Sequence, residues 1–222
     1  MSVLGGEDAP LLVLTGPTGG GKSTVARWLA QRGAFVLDAD RIGHELLLIP
    51  SIRDQVVQRF GASTLDQDGG IDRRRLGVTV FADEDALAAL NAIVHPALRA
   101  ELERRIARLR KSRGVPLIVV DAALYFQMPD PFPCDLVLGV SVDAQTRKSR
   151  IMQRDGLGER EAEGRMERQA DVVESLQRAD RILETGLPAE QLRRQLFRLL
   201  DETLGLRLVL SDPAPSSPSD DG

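Results

Sequence analysis

Cysteine is nearly missing from this 222-residue sequence. Cys134 stands alone, which excludes an internal disulfide framework and fits a reducing compartment. Aromatic residues make up only 4% of the chain, which argues against a stacking platform for single-stranded nucleic acid. With two histidines, His44 and His95, and one cysteine, no His/Cys metal cluster is available. No apolar run is long enough to span a bilayer and no secretory signal is apparent, so the cytoplasm is the expected location. A dominant charge is lacking too: 29 basic against 33 acidic residues give −4, with no global attraction to nucleic acid or membrane. No internal repeat occurs. Neither nucleic acid, a membrane nor an obligate protein partner is expected.

What is present is concentrated in one stretch. Residues 16–24 read Gly-Pro-Thr-Gly-Gly-Gly-Lys-Ser-Thr and match G-x-x-x-x-G-K-[ST], a loop that holds nucleotide phosphates. The apolar run Leu11–Leu14 precedes it as a predicted buried strand. Residues 22–32, with Val25, Trp28 and Leu29 at helical spacing, follow it as a predicted helix. Gly19, Gly20 and Gly21 let the backbone turn tightly and bring its N–H groups to phosphate oxygens. The helix start adds its positive end. Lys22 can reach the β- and γ-phosphates, the Ser23 hydroxyl can ligate Mg²⁺, and Thr24 can bond an α-phosphate oxygen. A nucleoside triphosphate with Mg²⁺ is the implied ligand.

Further apolar strands are expected at 35–37, 116–120, 136–140 and 181–183, with an amphipathic helix over 189–204. The pattern is α/β: a P-loop three-layer α/β/α core with a parallel sheet. Residues 10–49 and 114–210 form that core. Residues 50–113 read as a helical substrate-binding insertion, in which Asp72 and Asp83 cap helices and Pro96 opens a third. A lid is expected at about 147–175, where Arg147, Arg150 and Arg154 share a helical face ahead of Gly156 and Gly158. The alternative reading of that charge run is a solvated surface. Residues 1–9 are expected to be loose, and 211–222 form a polar, proline-rich tail that cannot bury a core.

Phosphoryl transfer needs a group that orients or deprotonates the acceptor, and Asp40, just past the second strand, is the choice. The same residue is a candidate N-cap for the helix that follows, and the two roles are compatible. Asp38 is a weaker candidate, toward a Mg²⁺-bound water. Asp121 ends an apolar strand as a Walker-B carboxylate does, though a strand-end turn residue looks the same. The Arg73–Arg75 run either grips an anionic substrate or faces water.

Taken together, residues 16–24, Val36–Asp40, His44–Leu46, Phe60-Gly61, Ile71–Gly77, Val80-Phe81, His95-Pro96, Val119–Asp121, Arg150, Met152–Asp155, the Arg165/Gln169 pair and Ala179-Asp180 make the chain resemble the dephospho-coenzyme A kinases. The resemblance covers about residues 11–186. It implies ATP-dependent phosphorylation of the ribose 3′-hydroxyl of dephospho-CoA, with Asp40 as base, Arg150 in a lid over ATP, and His95 near the substrate. The chain departs from the family pattern at Pro17-Thr18, at Ala122–Gln127 and at Glu184. A P-loop kinase for another small alcohol or nucleoside, or an ATP-binding module weakened in catalysis, remains as an alternative.

Overall fold

In the computed structural model, residues 9–206 are described. Apart from Ala9, the expected loose start and the whole 211–222 tail lie outside the described residues. Five strands form one sheet: β1 (Leu11–Thr15), β2 (Phe35–Asp38), β3 (Ile118–Asp121), β4 (Leu136–Ser141) and β5 (Arg181–Glu184). Their order is β2-β3-β1-β4-β5, and every pairing is parallel. The three inner strands are continuous apolar runs because helices cover both of their faces.

Alternation along each strand sorts the side chains into two layers. Leu12 and Leu14 of β1, with Val119, Leu138 and Val140, pack on α1 (Lys22–Ala30) and α9 (Ala189–Leu204) through Val25, Leu29, Leu196 and Leu200. Leu11 and Val13, with Ile118 and Val120, face the other way. There they meet Ile42 of α2 (Ala39–Leu46) and Leu102 and Ile106 of α5 (Glu84–Arg110). A third, smaller cluster joins Leu46 to α3 (Pro50–Phe60), α4 (Arg73–Phe81) and the first half of α5 through Ile52, Val56, Leu76, Val80 and Ala86.

The caps fall where the short acidic residues predict. Asp72 accepts from the N–H groups of Arg74 and Arg75, and Asp83 from that of Asp85. Pro96 does not begin a third helix. It lies inside the 27-residue α5, at a cost of one main-chain hydrogen bond. The helix persists because each half anchors in a hydrophobic cluster: Ala86 in the small one, Leu102 and Ile106 against the sheet. The charged stretch after β4 divides into α6 (Ala144–Asp155), α7 (Glu159–Glu167) and α8 (Ala170–Ser175), with Gly156 in a left-handed conformation ending α6.

Candidate active site

In an open parallel sheet, ligands collect at the carboxyl ends of the strands. Here β1 runs into the glycine loop, β2 ends at Asp38 and β3 at Asp121, while β4 and β5 end at Ser141 and Glu184. The loop passes so close to β4 that a Cβ on Gly16 would sit 2.6 Å from the Val140 carbonyl oxygen. Lys22 Nζ donates to the Gly16 carbonyl at 2.7 Å, and the Gly20 N–H closes a turn on the Pro17 carbonyl at 3.0 Å. The N-cap of α1 is Gly21, which offers no side-chain acceptor to the first turn of the helix. That leaves the helix end suited to an anion. Ser23 is exposed beside it.

The carboxylates come together through register: Asp38 and Asp121 are direct partners on neighbouring strands. Asp38 supplies the N-cap of α2, accepting from the Arg41 N–H at 2.9 Å. Asp40 is therefore not the cap; it lies exposed in the first turn of that helix. Burial pushes the Asp121 carboxyl up to about 6, assisted by the negative charges of Asp38 and Asp40 and opposed by Lys22. Burial also lowers Lys22, while Asp121 and Asp40 pull it back up. The four groups form one electrostatic unit with two carboxylates more than its ammonium can balance. Among the described residues no group of three or more His, Cys, Asp or Glu is placed to hold a metal. A donor set of one carboxylate and one hydroxyl suits Mg²⁺, which keeps waters and phosphate oxygens for its remaining positions.

On the opposite side of the loop, α6 supplies two arginines. Arg147 is buried; its Nε donates to the Thr18 carbonyl at 2.9 Å and one terminal nitrogen to Gln169 Oε1 at 3.0 Å. The Gln169 carboxamide meets Thr18 twice more, accepting from its N–H at 2.9 Å and donating to its hydroxyl at 3.3 Å. Arg150 straddles Thr185, with one nitrogen 2.7 Å from the carbonyl and the other 3.0 Å from the hydroxyl, and reaches the Gly19 carbonyl at 3.4 Å. The Arg147 and Arg150 side chains thus face the loop. Arg154 pairs with Asp155, yet its charge still lowers Lys22. Lys148 bridges to Glu159 and Glu163, and Arg165 to Asp155, fastening α7 to α6.

His44, one helical turn beyond Asp40, was not singled out by sequence reasoning as a functional residue. Its imidazole is lowered by burial and then by Arg73, against Asp40 and Asp38. That couples the start of α4 to the strand-end carboxylates, and the i, i+4 spacing of Asp40 and His44 was the available signal. Gln169 and Thr185 were also missed as loop-holding residues. His95 is buried in α5, and burial lowers its imidazole. Gln127 donates weakly to the Ser175 hydroxyl at 3.4 Å, and its buried Oε1 has no partner among the described residues. A groove of about 600 Å³ on α4 is lined by Ser63, Thr64, Asp72, Arg74, Arg75, Val78 and Thr79; no strand-end carboxylate or loop glycine contributes to it.

The family model described as dephospho-CoA kinase matches residues 11–189. A dephospho-CoA kinase of Symbiobacterium thermophilum is 40% identical over 187 residues, covering 84% of this chain and 78% of that one. The Geobacter sulfurreducens dephospho-CoA kinase is likewise 40% identical, covering 84% and 94%. Among solved structures, a Thermus thermophilus protein superposes with a TM-score of 0.72 at 31% identity, covering 88% of this chain and 98% of its own. The dephospho-CoA kinase of Campylobacter jejuni does so with a TM-score of 0.63 at 25% identity, with the same coverage.

Proposed function

The chain belongs to the dephospho-CoA kinase family, and on that premise we propose how its own residues carry out phosphorylation of the ribose 3′-hydroxyl of dephospho-CoA, the last step of coenzyme A biosynthesis. ATP is the phosphoryl donor. Its β- and γ-phosphates lie in the Gly16–Thr24 loop, against the loop N–H groups and the start of α1. Lys22 leaves the Gly16 carbonyl for the phosphate oxygens, Thr24 bonds an α-phosphate oxygen, and Gly19, Gly20 and Gly21 shape the cradle. Ser23 and Asp121 hold Mg²⁺, which when bound neutralises charge on the phosphate oxygens. The excess negative charge around Asp121 supports that assignment.

Asp40 holds the ribose hydroxyl and accepts its proton as the oxygen bonds to the γ-phosphorus. The bond from that phosphorus to the departing ADP oxygen breaks, so the products are coenzyme A, ADP and a proton. Arg150 helps stabilise the charge that develops, from a position set by Thr185. His95 lies on the acceptor side, in the helical segment that shelters the rest of dephospho-CoA. Residues 147–175 act as a lid, which the Arg147 and Gln169 contacts to Thr18 support.

The observation that carries the reading is the meeting of Lys22, Asp121 and Asp40 beside the glycine loop in a chain of this family. An acceptor of another class is not favoured by the family membership. A binding-only module is opposed by the retention of Lys22, Ser23, Asp40, Asp121 and Arg150 together. The test is ADP release from Mg²⁺-ATP with and without dephospho-CoA, with the product weighed by mass spectrometry. Strong stimulation and one added phosphate are expected; ATP binding without stimulation would redirect the search to other acceptors.

A further inference from the structure

The loop contains three consecutive glycines, Gly19–Gly21, of which Gly19 and Gly21 already sit at positive φ. A peptide unit flanked by two glycines has no Cβ to resist rotation. The Gly20–Gly21 unit is such a case. Because a peptide is planar and trans, its carbonyl and N–H point in opposite directions, and fixing one fixes the other. Something must hold this unit if its N–H is to face phosphate.

Thr185 does so. Its side chain is buried at the end of β5, and its hydroxyl donates to the Gly20 carbonyl at 2.6 Å. The Ser141 carbonyl is a second acceptor at 3.1 Å, but it already receives the Thr185 N–H at 2.7 Å. On its other side the hydroxyl oxygen accepts from Arg150 at 3.0 Å. A guanidinium on that oxygen polarises the O–H and strengthens its donation to Gly20. The fit is close: a Cβ on Gly21 would lie 3.0 Å from the Thr185 hydroxyl oxygen. We propose that Thr185 is a positioning residue of the phosphate site. Its hydroxyl, braced by Arg150, holds the Gly20 carbonyl outward, so that the Gly21 N–H points into the cradle. One side chain thereby sets both a loop donor and the arginine on the far wall.

The proposal rests on the nucleotide-site reading above, and its test is independent of the acceptor. Full-length wild type, Thr185→Val and Thr185→Ser are titrated with Mg²⁺-ADP by calorimetry and melted without nucleotide. Val keeps the shape and removes the donor, and Ser retains the donor. Thr185→Val is expected to weaken Mg²⁺-ADP about tenfold and to raise KM for ATP similarly, with Thr185→Ser within about threefold of wild type. KM for dephospho-CoA is expected to stay constant. Equal affinity in wild type and Thr185→Val overturns the proposal, as does a loss that Ser fails to rescue. Should the Val variant not fold, Thr185→Ala removes the donor with less crowding and is judged by the same criteria. Wild type that binds Mg²⁺-ADP but makes no coenzyme A refutes the functional reading alone; wild type that binds no nucleotide refutes both.

Discussion

Around the glycine loop, side chains from 129 to 165 positions away close on main-chain groups: Arg147 and Gln169 on Thr18, Thr185 on Gly20. Along α4 the bonds are local. Asp72 serves Arg74 and Arg75 next to it, Arg75 reaches back to the Leu65 carbonyl, and Val78 and Phe81 are each 70% exposed. The loop is therefore braced by long-range side chains in addition to its local Gly20–Pro17 turn and the Lys22 bond to Gly16. Among the described residues the basic start of α4 has no comparable set of long-range bonds. Preorganisation of this kind favours the half of the site where charge changes during reaction.

The largest effect is expected at Lys22. Lys22→Met should lower kcat/KM for ATP by about a thousandfold or more while leaving the fold's circular dichroism intact. Asp40→Asn should lower kcat by about two orders of magnitude with both substrates binding within a few-fold of wild type. A rate within a few-fold would remove the base assignment. Arg73→Ala should raise KM for dephospho-CoA by roughly five- to tenfold and leave KM for ATP unchanged. If KM for ATP moved instead, Arg73 would belong to the preorganised half of the site.

The smallest effect is on stability. The Asp121 carboxyl rises from 3.8 to about 6 on folding, so its ionised form is disfavoured in the native state. Its contribution to stability is complete below about pH 4 and lost as pH rises through 6. In metal- and nucleotide-free protein at pH 7.5, Asp121→Asn should thus raise stability by on the order of 2 kcal/mol, with no gain near pH 4. Chemical denaturation at the two pH values measures it. Activity should fall in the same variant, because Asp121 is one of the two proposed Mg²⁺-holding residues.

The strands and the loop were legible because their signals are local. Inner parallel strands are buried on both faces and appear as apolar runs, and the loop carries its pattern in nine consecutive residues. Pro96 misled because proline removes one hydrogen bond whatever lies around it. The burial of Ala86 on one side and Leu102 on the other is a tertiary fact. Gln169 and Thr185 were not legible as loop-holding residues. Each acts on a main-chain group more than 150 positions earlier, and neither residue type nor spacing announces that. The approach of Arg73 to His44 was hidden for the same reason.

The long helix α5 belongs to two hydrophobic clusters at once. Ala86, Leu90 and Ile93 serve the small one, Leu102 and Ile106 the sheet, and Leu98 touches both. At 27 residues it is about 40 Å long. A rod shared in this way ties the melting of the two clusters together. Heat or denaturant cannot release the α3–α4 packing as an independent step while α5 stays whole, so unfolding should be a single cooperative transition. The one place where the rod yields cheaply is Pro96, where a hydrogen bond is already absent. Amides just before it should be the first in the helix interior to exchange with solvent.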